Sequence, residues 1–272
     1  MGGSEAGGLE LGEETSREFY ETVARFYDAE NAYMTDDLPF YSALAAETGG
    51  PVLDVGCGTG RVTLHLAQEG VRVVGMDYSE AMLQRAERKL AVLPDLRARV
   101  ALIHADVLHT APEERFALII VPYNSFMHLH TQADQVAALE RMREWLLPDG
   151  LIALDLPNPG DLFATPDDGS VVLERMFQEP ESGHLVMQQS VSALDRAAQI
   201  MHVTWIYDEL AADGTVRRTL APLTLRYVFP AEMDLLLRVA GLQRAERYGD
   251  YDSTPFEDNS PRMITVAKAR KS

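Results

Sequence analysis

Apolar and aromatic residues recur at helical spacing from Thr15 to Ala46. Phe19, Val23 and Phe26 form one stripe, and Leu38, Tyr41, Leu44 and Ala45 form the next. The spacing predicts helices over about 15–30 and 36–48, broken near Asn31–Asp37 and stopped by Gly49-Gly50-Pro51. Short apolar runs then alternate with amphipathic stretches. PVLDVG reads as a buried strand and TGRVTLHLAQEG as a helix ending at Gly70. VRVVGMD is a second strand, after which Ser79 is placed to N-cap the helix EAMLQRAERKLAVL. RVALIHAD is a third strand, and FALIIVPY a fourth that is apolar enough to be buried on both faces. TQADQVAALERMREWLLPDG reads as a helix closed by Pro148-Asp149-Gly150, followed by a fifth strand, LIALDLPN.

Strands alternating with helices imply right-handed crossovers, hence an α/β chain with a doubly wound, mostly parallel sheet covered on both faces. The pattern changes from about Val171 to Phe229, where no helical period is found. VVLERMFQE, HLVMQQSVSALD, AAQIMHVTWIYDEL and TVRRTLAPLTLRYVF are strand-like, separated by turn signals such as Glu181-Ser182-Gly183 and Ala212-Asp213-Gly214. That predicts an antiparallel meander inserted after the fifth strand. Helical spacing returns in AEMDLLLRVAGL, and QRAERYGDY and RMITVAKA supply two last strands, seven in the main sheet. The expected organisation is a disordered tail over 1–14, a core made of 15–160 and 229–270, and the insertion over 161–228.

Composition narrows the partners. The 272 residues carry a formal charge of -18 and a pI near 4.7, so the chain repels a phosphate backbone; its one basic cluster is the terminal KARKS. Nucleic acid is therefore not expected as a partner. No apolar run approaches the roughly 18 residues that span a bilayer, so no membrane partner is expected either. MGGSEAGGLELGEETS has neither the basic nor the apolar region of a secretory signal. Cys57 is the single cysteine, which excludes an intrachain disulfide and fits a reducing compartment. The expected location is the cytoplasm.

The chemistry concentrates in VLDVGCGTGRV, Val52 to Val62. In an open parallel sheet, ligands bind beyond the C-terminal strand ends, where glycines admit close backbone approach and a helix N-terminus offers free N–H groups. The spacing here is Gly56-x-Gly58-x-Gly60, with Arg61 at the place of the third glycine of the dinucleotide fingerprint. No Gly-Lys-Ser/Thr follows, so it is not a P-loop either. Asp77 ends the second strand, either as a carboxylate for two ribose hydroxyls or as a strand-end turn residue. Asp106 follows Ala105 after the third strand, where it meets an adenine edge or caps a turn.

Taken together, these segments resemble the class I S-adenosylmethionine-dependent methyltransferases. VLDVGCGTG is similar to that family's first motif, MDYSEAML to its second and HADV to its third; FALIIVPYNSFMHL and LLPDGLIALDL resemble its fourth- and fifth-strand segments. The likeness is strong over Pro51 to Asp155. More weakly, the meander and LRYVFPAEMDLLLRVAGLQRAERYGDYD resemble small-molecule methyltransferases whose insertion roofs the active site. The resemblance implies a Rossmann-like sheet with the meander as lid, S-adenosyl-L-methionine as cofactor, and methyl transfer to N or O of a small-molecule acceptor. It places Gly56, Cys57, Gly58 and Gly60 along the cofactor's amino-acid tail and ribose, with Cys57 filling space. Asp54 would hold the methionine ammonium, directly or through water, and Asp77 the ribose. Tyr78 and Met82 would flank the adenine, Asp106 would face its amino group, and Ala105 and Val107 would pack beside it. Pro122, Tyr123 and Asn124 would line the cofactor near its methyl group.

On the acceptor side, His128 in NSFMHLH is the candidate base, or else a packing residue at a helix end; His130 reads as solvated. Tyr20 and Tyr27 belong to N-terminal helices that in the resembled family fold over the cofactor. One of them would reach the reaction centre, or both simply pack an aromatic face. Arg226 would hold an anionic group of the substrate, with Tyr227 beside it, or else pair with a carboxylate on an exposed strand. His128 and His130 find no ligand cluster of matching spacing with His104 or His109, so no metal is expected. Trp205 and Tyr207 would line the roof or an oligomer contact, and free strand edges of the insertion would allow a homodimer. Two alternatives remain: a nicotinamide-dependent oxidoreductase on a related fold, and a non-catalytic S-adenosylmethionine-binding module.

Overall fold

The computed structural model describes residues 13–165 and 169–270. Of the tail expected over 1–14, residues 1–12 lie outside the described residues and the last two begin α1 (Glu13–Glu30). α2 follows at Leu38–Thr48. The alternating part runs β1 (Val52–Val55), α3 (Arg61–Gln68), β2 (Val73–Asp77), α4 (Glu80–Ala91), β3 (Val100–His104), β4 (Phe116–Val121), α5 (Gln132–Glu144) and β5 (Leu146–Pro157). A short helix, α6 (Pro159–Ala164), leads to β6 (Val172–Gln178), β7 (Leu185–Asp195), β8 (Ile200–Leu210) and β9 (Val216–Arg226). The chain closes with α7 (Pro230–Val239), β10 (Leu242–Tyr248) and β11 (Arg262–Ala269). None of the described helices is long and apolar enough to cross a membrane.

The main sheet has seven strands in the order β10-β11-β5-β4-β1-β2-β3. β11 runs antiparallel to both its neighbours, and the pairs among β1 to β5 are parallel. β1 and β4 are buried along their whole length, as continuous apolar runs require when helices cover both faces. From β1 the chain winds outward to β2 and β3, then returns to β4 on the other side. The order reverses between β1 and β4, which is where a doubly wound sheet opens a crevice for a ligand.

Gly70 stops α3 as expected, at φ 91 directly after the Glu69 cap. Two local features differ from the expectation. Pro148-Asp149-Gly150 lies inside β5, because β4 pairs first Phe116 with Leu146 and then Leu118 with Leu151, so the extra residues bulge out with Asp149 at φ 63. α6 was not foreseen: Asn158 caps it by accepting the Gly160 N–H at 2.9 Å, and Pro159 sits at its start.

β6 to β9 form a separate four-stranded antiparallel sheet with full pairing from β7 to β9. This sheet stacks on α1. The Phe26 and Tyr207 rings lie face to face, 4.7 Å between centroids, and Arg25 pairs with Glu209. Glu30 accepts the Tyr207 hydroxyl at 3.0 Å and the Gln188 amide at 2.6 Å.

Candidate active site

Below α1 lies a cavity of about 330 Å³, at the C-terminal ends of β1, β2 and β4. Its size is at the lower end of small-ligand sites. α1 supplies Tyr20 and Tyr27 to its wall, whereas β6 to β9 supply no lining residue. The antiparallel sheet thus acts on the cavity through α1, which it backs.

The glycine loop forms one side. Gly56, Gly58 and Gly60 all have positive φ, at 74°, 55° and 80°. At Gly56 there is also no room: a Cβ would lie 2.6 Å from the Ser125 hydroxyl. Asp77 binds this loop to the next one. One carboxylate oxygen accepts the Gly58 N–H at 2.7 Å and the other the Ser79 N–H at 2.8 Å. Burial raises its pKa, partly offset by those backbone bonds. Asp54 is different. One of its oxygens accepts the Thr63 hydroxyl at 2.6 Å, while the other is buried without a hydrogen-bond partner. Burial pushes its pKa up to about 7. A buried carboxylate with an unused oxygen at a cavity wall is completed by a cation. An α-ammonium group fits that requirement, and the glycine loop leaves backbone space beside it, so these residues fit the S-adenosylmethionine tail.

Cys57, Gly58, Tyr78, Met82 and the run from Ala105 to Val107 also line the cavity. Cys57 packs tightly: a Cβ on Gly75 would meet its sulfur at 2.9 Å. Asp106 additionally accepts the Leu108 N–H at 2.8 Å, so it shapes its own turn. Gly60 caps α3 and Asn124 begins the 3-10 helix Ser125–His128; neither is part of the wall, although Pro122 and Tyr123 are. Sequence reading missed Thr59, Arg61 and Ser125, which line it too. Arg61 lines the wall while gripping Asp37 with both arms of its guanidinium, each at 2.6 Å.

α1 is fastened over this loop by charge. Asp28 accepts the Thr59 hydroxyl and Lys89 Nζ, both at 2.6 Å, and lies 3.5 Å from Arg85. Glu21 accepts Ser79 Oγ at 3.0 Å and the Ala81 N–H at 3.2 Å, at the start of α4. Both contacts link residues far apart in sequence, and no local pattern announces them.

Also on the cavity wall, Tyr20 Oη and His128 Nε2 are 2.9 Å apart. Burial, then the neighbouring His130, depress the His128 pKa to about 3, and burial raises Tyr20 well above its usual value. Both groups are therefore neutral at physiological pH. His130 corrects the expectation of a solvated ring, because its Nε2 is 2.8 Å from the Thr224 carbonyl oxygen. Arg226 is corrected as well. It is buried, donates to Gln135 Oε1 at 2.8 Å and to Glu232 at 2.6 Å, and does not reach the cavity wall. Its charge is satisfied by a carboxylate, as the alternative reading had it, though in the interior. Tyr227 is buried beside it, away from the wall. Among the described residues no group of three or more His, Cys, Asp or Glu is arranged to hold a metal.

Residues 52–150 match the family described as "Methyltransferase domain". The cypemycin N-terminal methyltransferase of a Streptomyces species is 25% identical over 249 residues, covering 90% of this chain and 95% of that protein. Among solved structures, the CcbJ methyltransferase from Streptomyces caelestis superposes with a TM-score of 0.77 at 27% identity, covering 92% of this chain and 99% of that one. The sugar N-methyltransferase KedS8 from a Streptoalloteichus species shares the fold, with a TM-score of 0.71 at 23% identity over 100% and 98% of the two chains. The reversal of strand order, the three-glycine loop and the unsatisfied Asp54 oxygen agree with these likenesses. Residues 52–150 are a methyltransferase domain, set in a class I, Rossmann-like fold. The chain that carries it is an enzyme that uses S-adenosyl-L-methionine.

Proposed function

We propose that the enzyme transfers the methyl group to a nitrogen of a small-molecule amine. The observation that carries this reading is the Tyr20–His128 contact on the cavity wall, where desolvation favours the uncharged form of both groups. S-adenosylmethionine, when bound, supplies a methyl group activated by sulfonium charge. Asp54 would hold its ammonium, and Asp77 would fix the two loops beside its ribose. A hydroxyl acceptor is a weak nucleophile that needs a strong base, and a histidine depressed to about pKa 3 is a poor one. A neutral amine brings its own lone pair. Desolvation beside the Tyr20 and His128 rings also favours that neutral form, since it lowers an amine pKa. Tyr20 and His128 then serve to orient the nitrogen and to exclude water.

The relatives support nitrogen: one protein that aligns over most of this chain is named an N-terminal methyltransferase, and another a glycine/sarcosine N-methyltransferase. The charge of -18 supports a small acceptor over nucleic acid. A homodimer formed by the second sheet belongs to the same reading; Leu173, Met176 and Leu220 are exposed there. The test is transfer of label from methyl-labelled S-adenosylmethionine into a cell extract fractionated by size. Label on an amine in the small-molecule fraction supports the reading, and label confined to protein, RNA or a small-molecule hydroxyl overturns it.

A further inference from the structure

Two consecutive non-glycine residues at the cavity, Tyr123 and Asn124, have positive φ, at 41° and 68°. A bulky side chain avoids that region, so the surroundings must hold it there. They do so through Asp155, on β5, and Arg262, which begins β11. Asp155 is fully buried and accepts the Tyr123 N–H at 3.2 Å, while its backbone oxygen accepts the Asn124 N–H at 3.0 Å. Arg262 donates to the Asp155 carboxylate at 2.9 and 2.6 Å and, with the same Nη2, to Asn124 Oδ1 at 2.9 Å. Its guanidinium also lies 5.5 Å from the Tyr123 ring centre and 5.9 Å from that of Tyr251. Tyr41 and Tyr251 hydroxyls complete the Asp155 carboxylate at 3.1 and 2.9 Å.

The turn leads in two directions. Tyr123 is part of the cavity wall, and Asn124 is the residue from which the 3-10 helix carrying His128 starts. We propose that Asp155 and Arg262 are positioning residues for methyl transfer: they hold the Tyr123–Asn124 turn in its left-handed form and thereby aim Tyr123 and His128 at the acceptor. A buried ion pair is by itself weak support for stability, since apolar residues of similar volume often serve as well. Here the pair sits against a strained turn that opens into the cavity, and both of its partners touch that turn. A guanidinium is needed because its planar fork reaches a carboxylate and an amide oxygen at once, which an ammonium does not match.

The inference rests on the proposed transfer to an acceptor in this cavity, and its test separates the two. Asn124→Gly removes the Arg262 anchor while giving φ 68° to the residue best suited to it. Arg262→Lys keeps the charge and loses the fork; Arg262→Gln loses both. Four quantities are read on the full chain: the S-adenosylmethionine dissociation constant by calorimetry, the thermal midpoint, label transfer at rising amounts of the extract's small-molecule fraction, and amide exchange across 116–130 with S-adenosylmethionine bound. Asn124→Gly is expected to keep its midpoint and cofactor affinity within about twofold. It should transfer about tenfold more slowly, with faster exchange at 123–128, because small displacements of reacting groups are enough for such losses. Arg262→Lys should fall between wild type and Arg262→Gln. The proposal is overturned if Asn124→Gly and Arg262→Lys transfer at the wild-type rate, or if every loss of rate is matched by a loss of cofactor affinity. Should the label enter protein or RNA, the small-acceptor reading falls, and the same rate ratios on that acceptor still decide. Should nothing be labelled, unchanged exchange in both Asn124→Gly and Arg262→Gln overturns the positioning role.

Discussion

Asp54 gives one carboxylate oxygen to the Thr63 hydroxyl at 2.6 Å and keeps the other at the cavity wall without a partner. Its pKa of about 7 follows from that burial. An incoming ammonium favours the ionised form and pulls the pKa back down. Binding of S-adenosylmethionine at pH 6 is therefore expected to release protons from Asp54, and this release should fade as pH rises past about 7. Calorimetry in buffers of different ionisation enthalpy measures this directly, and Asp54→Asn should abolish the difference. Without cofactor the sign on stability is set by a raised folded pKa. Between 3.8 and about 7 the folded state binds more protons than the unfolded one, so this contribution is complete below 3.8 and is lost as pH rises through about 7.

His128 has the opposite sign of stability. Its pKa falls from 6.5 to about 3 on folding, so the unfolded chain takes up the proton first. Stability from this residue is full above pH 6.5 and declines as pH falls toward 3. Denaturant titrations from pH 7 to 4 should show a shallower decline in His128→Gln than in the wild type. The rate profile between pH 6 and 9 should carry no histidine limb.

Tyr20→Phe removes the hydroxyl that meets His128 and leaves the ring that packs between Phe19, Tyr27 and Tyr78. Transfer should slow by about 10- to 100-fold with the cofactor dissociation constant unchanged within about twofold. Parallel losses in both quantities would assign Tyr20 to cofactor binding instead.

Gly56→Ala forces a Cβ to 2.6 Å from the Ser125 hydroxyl at a φ of 74°. A loss of about 1–3 kcal/mol of stability is expected, because both the backbone conformation and the space are wrong. Cofactor binding should be lost with it, since the glycine loop would move away from Ser125. Gly49→Ala is the control: its φ of 79° carries the same strain with nothing within 4 Å.

Asp28→Asn loosens the hold of α1 on Thr59 and Lys89. The pair is about one-third exposed, so the stability change should stay within about 1 kcal/mol. Stopped-flow release of S-adenosylmethionine should nevertheless speed up several-fold.

The alternation of strands and helices was legible because burial on both faces of a parallel strand leaves a continuous apolar run, as in FALIIV. The carboxylates at the cavity were legible for a related reason: Asp54 and Asp77 lie at the ends of successive parallel strands and Asp106 just after the next, and parallel register brings those ends together. What escaped reading is side-chain pairing across long separations. Arg262 meets Asn124 from 138 positions away, and Asp28 meets Lys89 from 61. Neither leaves a periodic trace. Arg226 was misplaced on the substrate because an arginine at a strand end shows its charge in the sequence but not Glu232 beside it.

α1 stands between two attachments. Glu21 and Asp28 hold it down on the cofactor loops, while Phe26 and Glu30 hold it up against Tyr207 of the antiparallel sheet. Helix and sheet are therefore expected to travel together if the cavity opens on the side that α1 covers. Opening then is a mechanical step, of the microsecond-to-millisecond kind typical of lids, that waits on Glu21 and Asp28 letting go together.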